Sequence, residues 1–304
     1  MENELIAVLK ENELIAVLKE ISLKLGKLLD RKEAPPAQVL TSHTAFRWIY
    51  DPATAGYALP PIDDIDPVRF EHLRGIDDAA AAVRGNTERF LAGYPANDVL
   101  LWGPRGTGKS SCIKALLNEY APQGLKMIET SRDDLIHITA LFAILRKQTE
   151  RFIIYSDDLS FEPDEHSYRA LKAALEGGIE ARPANVLIYA TSNRRHLMPE
   201  RKSENVLSAD ADGELHLNDS IDEKVSLSDR FGLRIGFPRF TADKYMDAVN
   251  NYAVLRGIDL PGGRLKEQAM RRALSHGGFS GRAAKQFMDD LEGRLKDARL
   301  KEEG

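Results

Sequence analysis

The chain has 304 residues, 43% of them hydrophobic and 29% charged, with a formal net charge of -5 and a single cysteine. That length and apolar content support a full core in one large domain with a smaller one attached; the acidic balance argues against a protein that wraps nucleic acid with its whole surface, though not against a local basic patch. A lone Cys112 excludes an intrachain disulfide and a cysteine-based metal site, and no apolar run approaches the ~20 residues that span a bilayer, so a cytoplasmic location without a transmembrane segment is expected.

Residues 2 to 10 recur unchanged at 11 to 19, an identity that ordinary divergence would not leave, so the repeat reads as recent or engineered. Leu14, Leu18, Ile21, Leu25 and Leu28 keep alternating spacings of four and three, the seam of an amphipathic helix. A nine-residue shift at ~100° per residue ends about half a turn away, so Leu5 and Leu9 of the first copy fall opposite that stripe. Within 1–33 the pattern therefore predicts a helix over 14–30 that packs on the body or on a partner. Lys10, Lys19, Lys24 and Lys27 leave a membrane-surface or oligomerising helix as the alternative. Ala34-Pro35-Pro36-Ala37 ends the helix, and a linker is expected over 34–69, through Pro60, Pro61 and Pro67.

Val99 to Trp102 reads as a short apolar strand that runs into Gly103, Pro104, Arg105, Gly106, Thr107, Gly108, Lys109, Ser110 and Ser111, a phosphate-binding (Walker A) loop. Gly103, Gly106 and Gly108 permit positive φ and close backbone approach, so successive amides can face one concavity. Lys109 is placed to neutralise the β and γ phosphates of a nucleotide, and the Ser110 hydroxyl to ligate Mg²⁺. Ser111 to Tyr120 has helical spacing, which sets the anion at a helix N-terminus. A glycine turn with an exposed lysine is the plainer alternative, and the strand before and helix after weigh against it. Cys112 reads as a packed helix residue.

Lys126 to Glu129 is the next strand. Arg151 to Leu159 is an apolar run that ends in Asp157 and Asp158, as a buried parallel strand delivering acids at its C-terminal edge (Walker B) would. Asp157 would hold Mg²⁺ through a water, and Asp158 would polarise the attacking water; two acids capping a loop is the plainer reading. Val186 to Thr191 leads to Asn193, a candidate for orienting that water or a turn residue. Residues 203–223 carry Asp210, Asp212, Glu214, Asp219 and Asp222 and read as a solvated insertion, with a partner-contacting loop as the sharper alternative. Arg230, just before a strand over Leu233 to Phe237, is either a surface arginine paired to Asp229 or a finger for a γ-phosphate. From Thr241 the chain is helical over 242–255, 265–274 and 280–300. Ser280 can cap the last helix, which puts Arg282 in a first turn where a cation opposes the dipole and hints at an anion.

Five strands alternating with helices make a parallel α/β sheet with right-handed crossovers. Taken together, GPRGTGKS, IIYSDD, YATSN, LSDRFG and SGR follow the order and spacing of the AAA+ ATPases, which the chain resembles over about Ile62 to Leu295. LRGID at Leu73 to Asp77, NTERFLAG, and DDLSFE at Asp157 to Glu162 most resemble a bacterial family known only as domain of unknown function 815; replication-initiator and helicase-loader ATPases are similar more distantly. The resemblance implies a P-loop NTPase α/β domain with a five-stranded sheet over 70–238 and a small helical lid domain over 239–304. It implies ATP and Mg²⁺ as cofactors, and hydrolysis that drives assembly or remodelling of an unidentified protein or nucleic-acid partner. By the same resemblance Asn193 is sensor 1, Arg282 is sensor 2 from the lid, and Leu73 to Ile76 lie near adenine. Arg230 would be an arginine finger acting on a neighbouring subunit's nucleotide, in a ring or open homo-oligomer that is hexamer-like when active. One departure stands out: most AAA+ proteins end Walker B in Asp-Glu, whereas Asp158 is a methylene shorter. A displacement near ~1 Å can cost on the order of a hundredfold in rate. Slow hydrolysis, help from Glu162, and a nucleotide-gated binding module with negligible hydrolysis (a helicase-loader-like scaffold) are the outcomes this leaves open.

Overall fold

The computed structural model describes residues 37–52, 56–161, 166–177, 181–195, 197, 208–209, 215–216, 227–260, 262–275 and 277–302. The repeated N-terminal segment with its expected helix, Glu162, and the acidic residues named in the 203–223 stretch lie outside the described residues.

In chain order, α1 (Ala37–Ser42), β1 (Ala45–Asp51), β2 (Gly56–Ala58) and α2 (Asp77–Leu91) precede β3 (Val99–Trp102) and α3 (Lys109–Tyr120). Next come β4 (Leu125–Thr130), α4 (Ile138–Leu145), β5 (Arg151–Ser156), α5 (His166–Glu176) and β6 (Val186–Ser192). A small antiparallel ribbon, β7 (Ser208–Ala209) with β8 (Leu215–His216), comes before β9 (Leu233–Gly236). Three helices close the chain: α6 (Ala242–Leu255), α7 (Gly262–Ser275) and α8 (Gly281–Glu302).

The main sheet has seven strands in the order β2-β1-β4-β5-β6-β3-β9, all pairings parallel except the antiparallel edge β1/β2. The two strands beyond the expected five come from the stretch read as a linker. There Phe46 and Trp48 are buried while Arg47 and Ile49 are exposed, the period-two alternation of a strand with one face on a core. Pro60 and Pro61 do not interrupt this edge. Pro60 keeps its carbonyl, which accepts the Arg47 amide at 3.0 Å, and the Ile62 amide donates to Ala45 O at 2.9 Å.

The central strands are buried on both faces. Leu100, Phe152, Ile154 and Ile188 point into one apolar cluster with α4 and α5; Val99, Leu101, Ile153, Leu187 and Tyr189 point into the other with α2 and α3. At about 1.5–3 kcal/mol for each fully buried aliphatic side chain, these two layers fix the sheet far more firmly than any surface ion pair. Helices α6 to α8 hold a third cluster of their own around Tyr245, Val249, Phe287 and Met288.

The strand order decides where chemistry can gather. β6 lies between β3 and β5, with Trp102 opposite Ser192 and Ser156 opposite Ala190. That register sets Gly103, Asp157 and Asn193, the residues leaving three adjacent strands, along one C-terminal edge, where the chain order reverses and α/β sheets bind ligands.

Candidate functional site at the sheet edge

The loop after β3 is shaped by its contacts before any ligand is considered. The Gly103 amide donates to Ser192 O at 3.1 Å, and Phe237, leaving β9, donates its amide to Trp102 O at 2.7 Å. This brings the Phe237 carbonyl so close that a Cβ on Gly103, whose φ is 142°, would overlap it. Gly108, with φ 101°, is the N-cap of α3, which begins at Lys109 rather than at the expected Ser111. The buried Thr107 hydroxyl donates to Pro104 O at 2.9 Å and closes the loop from inside.

Lys109 is buried, with Nζ donating to Gly103 O at 2.7 Å, Pro104 O at 2.9 Å and Asn193 Oδ1 at 3.2 Å. Burial lowers its pKa, against the pull of Asp158 and Asp157. Asp157 accepts from the Ser110 hydroxyl at 2.7 Å and from Thr191 Oγ1. Burial pushes its carboxyl upward, but the hydrogen bonds from Thr191 and Ser110 outweigh this and hold it below the usual carboxylate value. Asp158 has a left-handed φ of 51°, and its amide donates to Thr191 Oγ1 at 2.9 Å. One of its carboxylate oxygens accepts from Asn193 Nδ2 and the other faces Arg105 Nη2 at 3.3 Å.

Ser110 and Asp157 present hard oxygen donors, and the Tyr155 hydroxyl beside them is buried without a well-formed hydrogen bond. That donor set fits Mg²⁺, which is commonly bound through one or two carboxylates together with substrate phosphates. No group of three or more His, Cys, Asp or Glu suited to a metal occurs among the described residues, so the fit rests on this pair.

A cavity of about 390 Å³ opens over these groups. Leu73, Arg105, Gly106, Gly108, Lys109, Ser110, Ser111, Asp157, Asp158, Asn193 and Arg282 line it, so most of the sequence-derived candidates meet there. Gly103, Pro104 and Thr107 support the loop from behind, and Ile76 is buried beside Gly108. Arg282 arrives through the predicted cap: Ser280 Oγ accepts from the Ala283 amide at 3.0 Å, and the Gly281 amide reaches across to Gly106 O at 2.9 Å. Cys112 is fully buried, and burial pushes its thiol up to about 12, as a packed helix residue requires.

Arg230 is not among the lining residues. Its guanidinium pairs with Glu176 at 2.8 Å, at the end of α5. The expected surface partner, Asp229, is instead held by Arg234, which corrects that pairing. Besides Gly281, inside the quoted SGR, three lining residues escaped the sequence reading. Thr191, inside the quoted YATSN, bonds both acids; Tyr252 of α6 and Lys285 of α8 come from helices whose periodicity reports burial, not proximity to a site.

A sheet in this order, parallel but for its β1/β2 edge, with a glycine-rich loop before α3 and two acids after β5, has the AAA+ P-loop fold. Solved structures agree. A single-substitution variant of RuvB from Thermotoga maritima is 14% identical, with a TM-score of 0.52 over 77% of this chain and 68% of that one. Another single-substitution variant is 15% identical, with a TM-score of 0.52 over 77% and 68%. The structure titled Thermotoga maritima RuvB Holliday junction branch migration motor is 14% identical, with a TM-score of 0.50 over 76% and 68%. Residues 41–295 match the family model described as protein of unknown function, DUF815, and the chain belongs to that family. No match was found among curated proteins. No helix among the described residues is long and apolar enough to cross a membrane.

Proposed function

We propose that this protein binds ATP with Mg²⁺ in the cavity at the sheet edge and hydrolyses it, and that the cycle drives assembly or remodelling of a partner. The carrying observation is the convergence of Lys109, Ser110, Asp157, Asp158, Asn193 and Arg282 on one cavity. The loop amides and the Lys109 ammonium hold the phosphates at the N-terminus of α3. Ser110 and Asp157 hold Mg²⁺, which supplies charge neutralisation on phosphate oxygens. Asp158 accepts the proton of the attacking water, Asn193 fixes the direction of that water, and Arg282 closes from a helical lid over 239–304. Leu73 and Ile76 from the neighbouring segment and Tyr252 from the lid give the base an apolar side.

In this reading the nucleotide-binding unit spans 70–238, with β1 and β2 extending its sheet, and the protein works in the cytoplasm. The partner is a protein or a nucleic acid; RuvB is described as a Holliday junction branch migration motor, and likeness of fold alone keeps the nucleic-acid option beside the protein one.

Arg230, held by Glu176 in its own chain, acts on the nucleotide of a neighbouring copy in a ring or open homo-oligomer. Turnover per chain should then rise with protein concentration, and Arg230→Ala should remove that rise, by about 10³-fold at saturation if it acts as other arginine fingers do. Full steady-state activity of Arg230→Ala at saturating protein concentration would exclude the role in trans.

One observation favours a second reading. Both oxygens of Asp158 are engaged, by Asn193 and Arg105, which would suit a nucleotide-gated binding module that holds ATP and hydrolyses it negligibly, a helicase-loader-like scaffold. Phosphate release from the purified oligomer separates the two. Wild-type turnover at least about a hundredfold above that of Asp158→Asn is expected for hydrolysis, and equal rates would favour the gated module.

A further inference from the structure

Arg105 has a part that the backbone role of its loop does not explain. It stands in the phosphate loop between Pro104 and Gly106, its side chain is 76% exposed, and it crosses the mouth of the cavity to Asp158 at 3.3 Å. Asp158 continues the chain of contacts to Asn193, and Asn193 to Lys109 Nζ at 3.2 Å. These four side chains line one cavity together with Gly106, Gly108 and Ser110 of the loop, and cations stand at both ends of the series.

We propose that Arg105 exchanges partners: it pairs with Asp158 in the geometry described above and turns onto the terminal phosphate of a nucleoside triphosphate when one binds. The inference rests on the loop being a nucleotide-phosphate site. The competition is unequal. An exposed carboxylate pair at this distance contributes little, because solvent screens it and two mobile side chains must be held. A phosphate offers the planar guanidinium two charge-assisted hydrogen bonds at once. Arg105 belongs to the same loop as the amides that would hold the phosphates, so the exchange needs only side-chain rotation, not closure of the helical unit or a second copy. The same turn that seats Arg105 on the phosphate uncovers one oxygen of Asp158. Arrival of the third phosphate is thereby coupled to release of the acid, within one chain, whereas a diphosphate leaves the Arg105–Asp158 pair in place.

Calorimetric titration of ADP and of the non-hydrolysable triphosphate AMP-PNP, each with Mg²⁺, tests this on the full chain as wild type, Arg105→Ala and Arg105→Lys. Arg105→Ala should weaken AMP-PNP by about tenfold, or ~1.4 kcal/mol, and leave ADP within about twofold. Arg105→Lys should recover part of the triphosphate affinity, since it keeps the charge and loses the fork. Equal weakening of both nucleotides, or no change in either, overturns the exchange while leaving the phosphate site standing. A wild-type chain that binds neither nucleotide overturns the underlying site as well.

Discussion

Lys109→Ala is expected to weaken ATP binding by at least about a hundredfold, measured by calorimetry, because charge-assisted hydrogen bonds are worth ~1.5–3 kcal/mol each and Lys109 would make more than one to the phosphates. The fold should survive the change. Lys109 is buried at a cost, since desolvation is what lowers its pKa, so its removal relieves that cost while leaving the Gly103 and Pro104 carbonyls without their donor. The two effects oppose each other, and the melting temperature should move little beside the affinity. There is a proton signature too. Burial favours neutral lysine and an incoming phosphate favours the ammonium, so in alkaline solution wild-type binding should take up protons and its enthalpy should follow the buffer's ionisation heat. ATP affinity unchanged in Lys109→Ala would count against the entire site.

Gly103→Ala should be the most damaging single methyl group in the loop. Any L residue at φ 142° is strained, and here the added Cβ also overlaps the Phe237 carbonyl oxygen, part of the backbone leaving β9. Strain and overlap together should cost about 3 kcal/mol or more, lowering the melting temperature by roughly 5 °C or more in a chain of this size. Gly124→Ala is the matched control, because Gly124 also has positive φ, 93°, but nothing lies within 4 Å of its added Cβ. If the two variants melted together, the contact between the loop and β9 would not be the constraint described above.

Much of the site was legible because its chemistry is written in adjacent residues. A strand, a glycine turn and a helix start follow one another without a break at 99–120, and the acids at 157 and 158 end an apolar run whose burial on both faces requires it to be central. The sheet edge was less legible. Ala45 to Asp51, Ala-Phe-Arg-Trp-Ile-Tyr-Asp, shows no clean alternation of apolar and polar residues, its alternation appearing only in burial, and the prolines at 60 and 61 suggest a linker, since sequence does not show that only a carbonyl is needed there. Pairings across long separations were the least accessible. Asp229 is adjacent to Arg230, but Asp229 pairs with Arg234, and Arg230 finds Glu176 on a helix 54 positions earlier in the sequence (230 − 176). Tyr252 and Lys285 reach the cavity only because α6 and α8 pack as they do, a matter of tertiary geometry.

The amide of Gly281 rests on the carbonyl of Gly106, so the glycine-rich loop and the longest helix among the described residues share a backbone fulcrum. Helix α8 runs 22 residues from that point, about 33 Å at 1.5 Å per residue. A tilt of about 10° around the fulcrum would swing its far end by roughly 6 Å. Displacements too small to notice at the loop are therefore multiplied along a lever arm, and the far end of α8 is where their mechanical output would be largest.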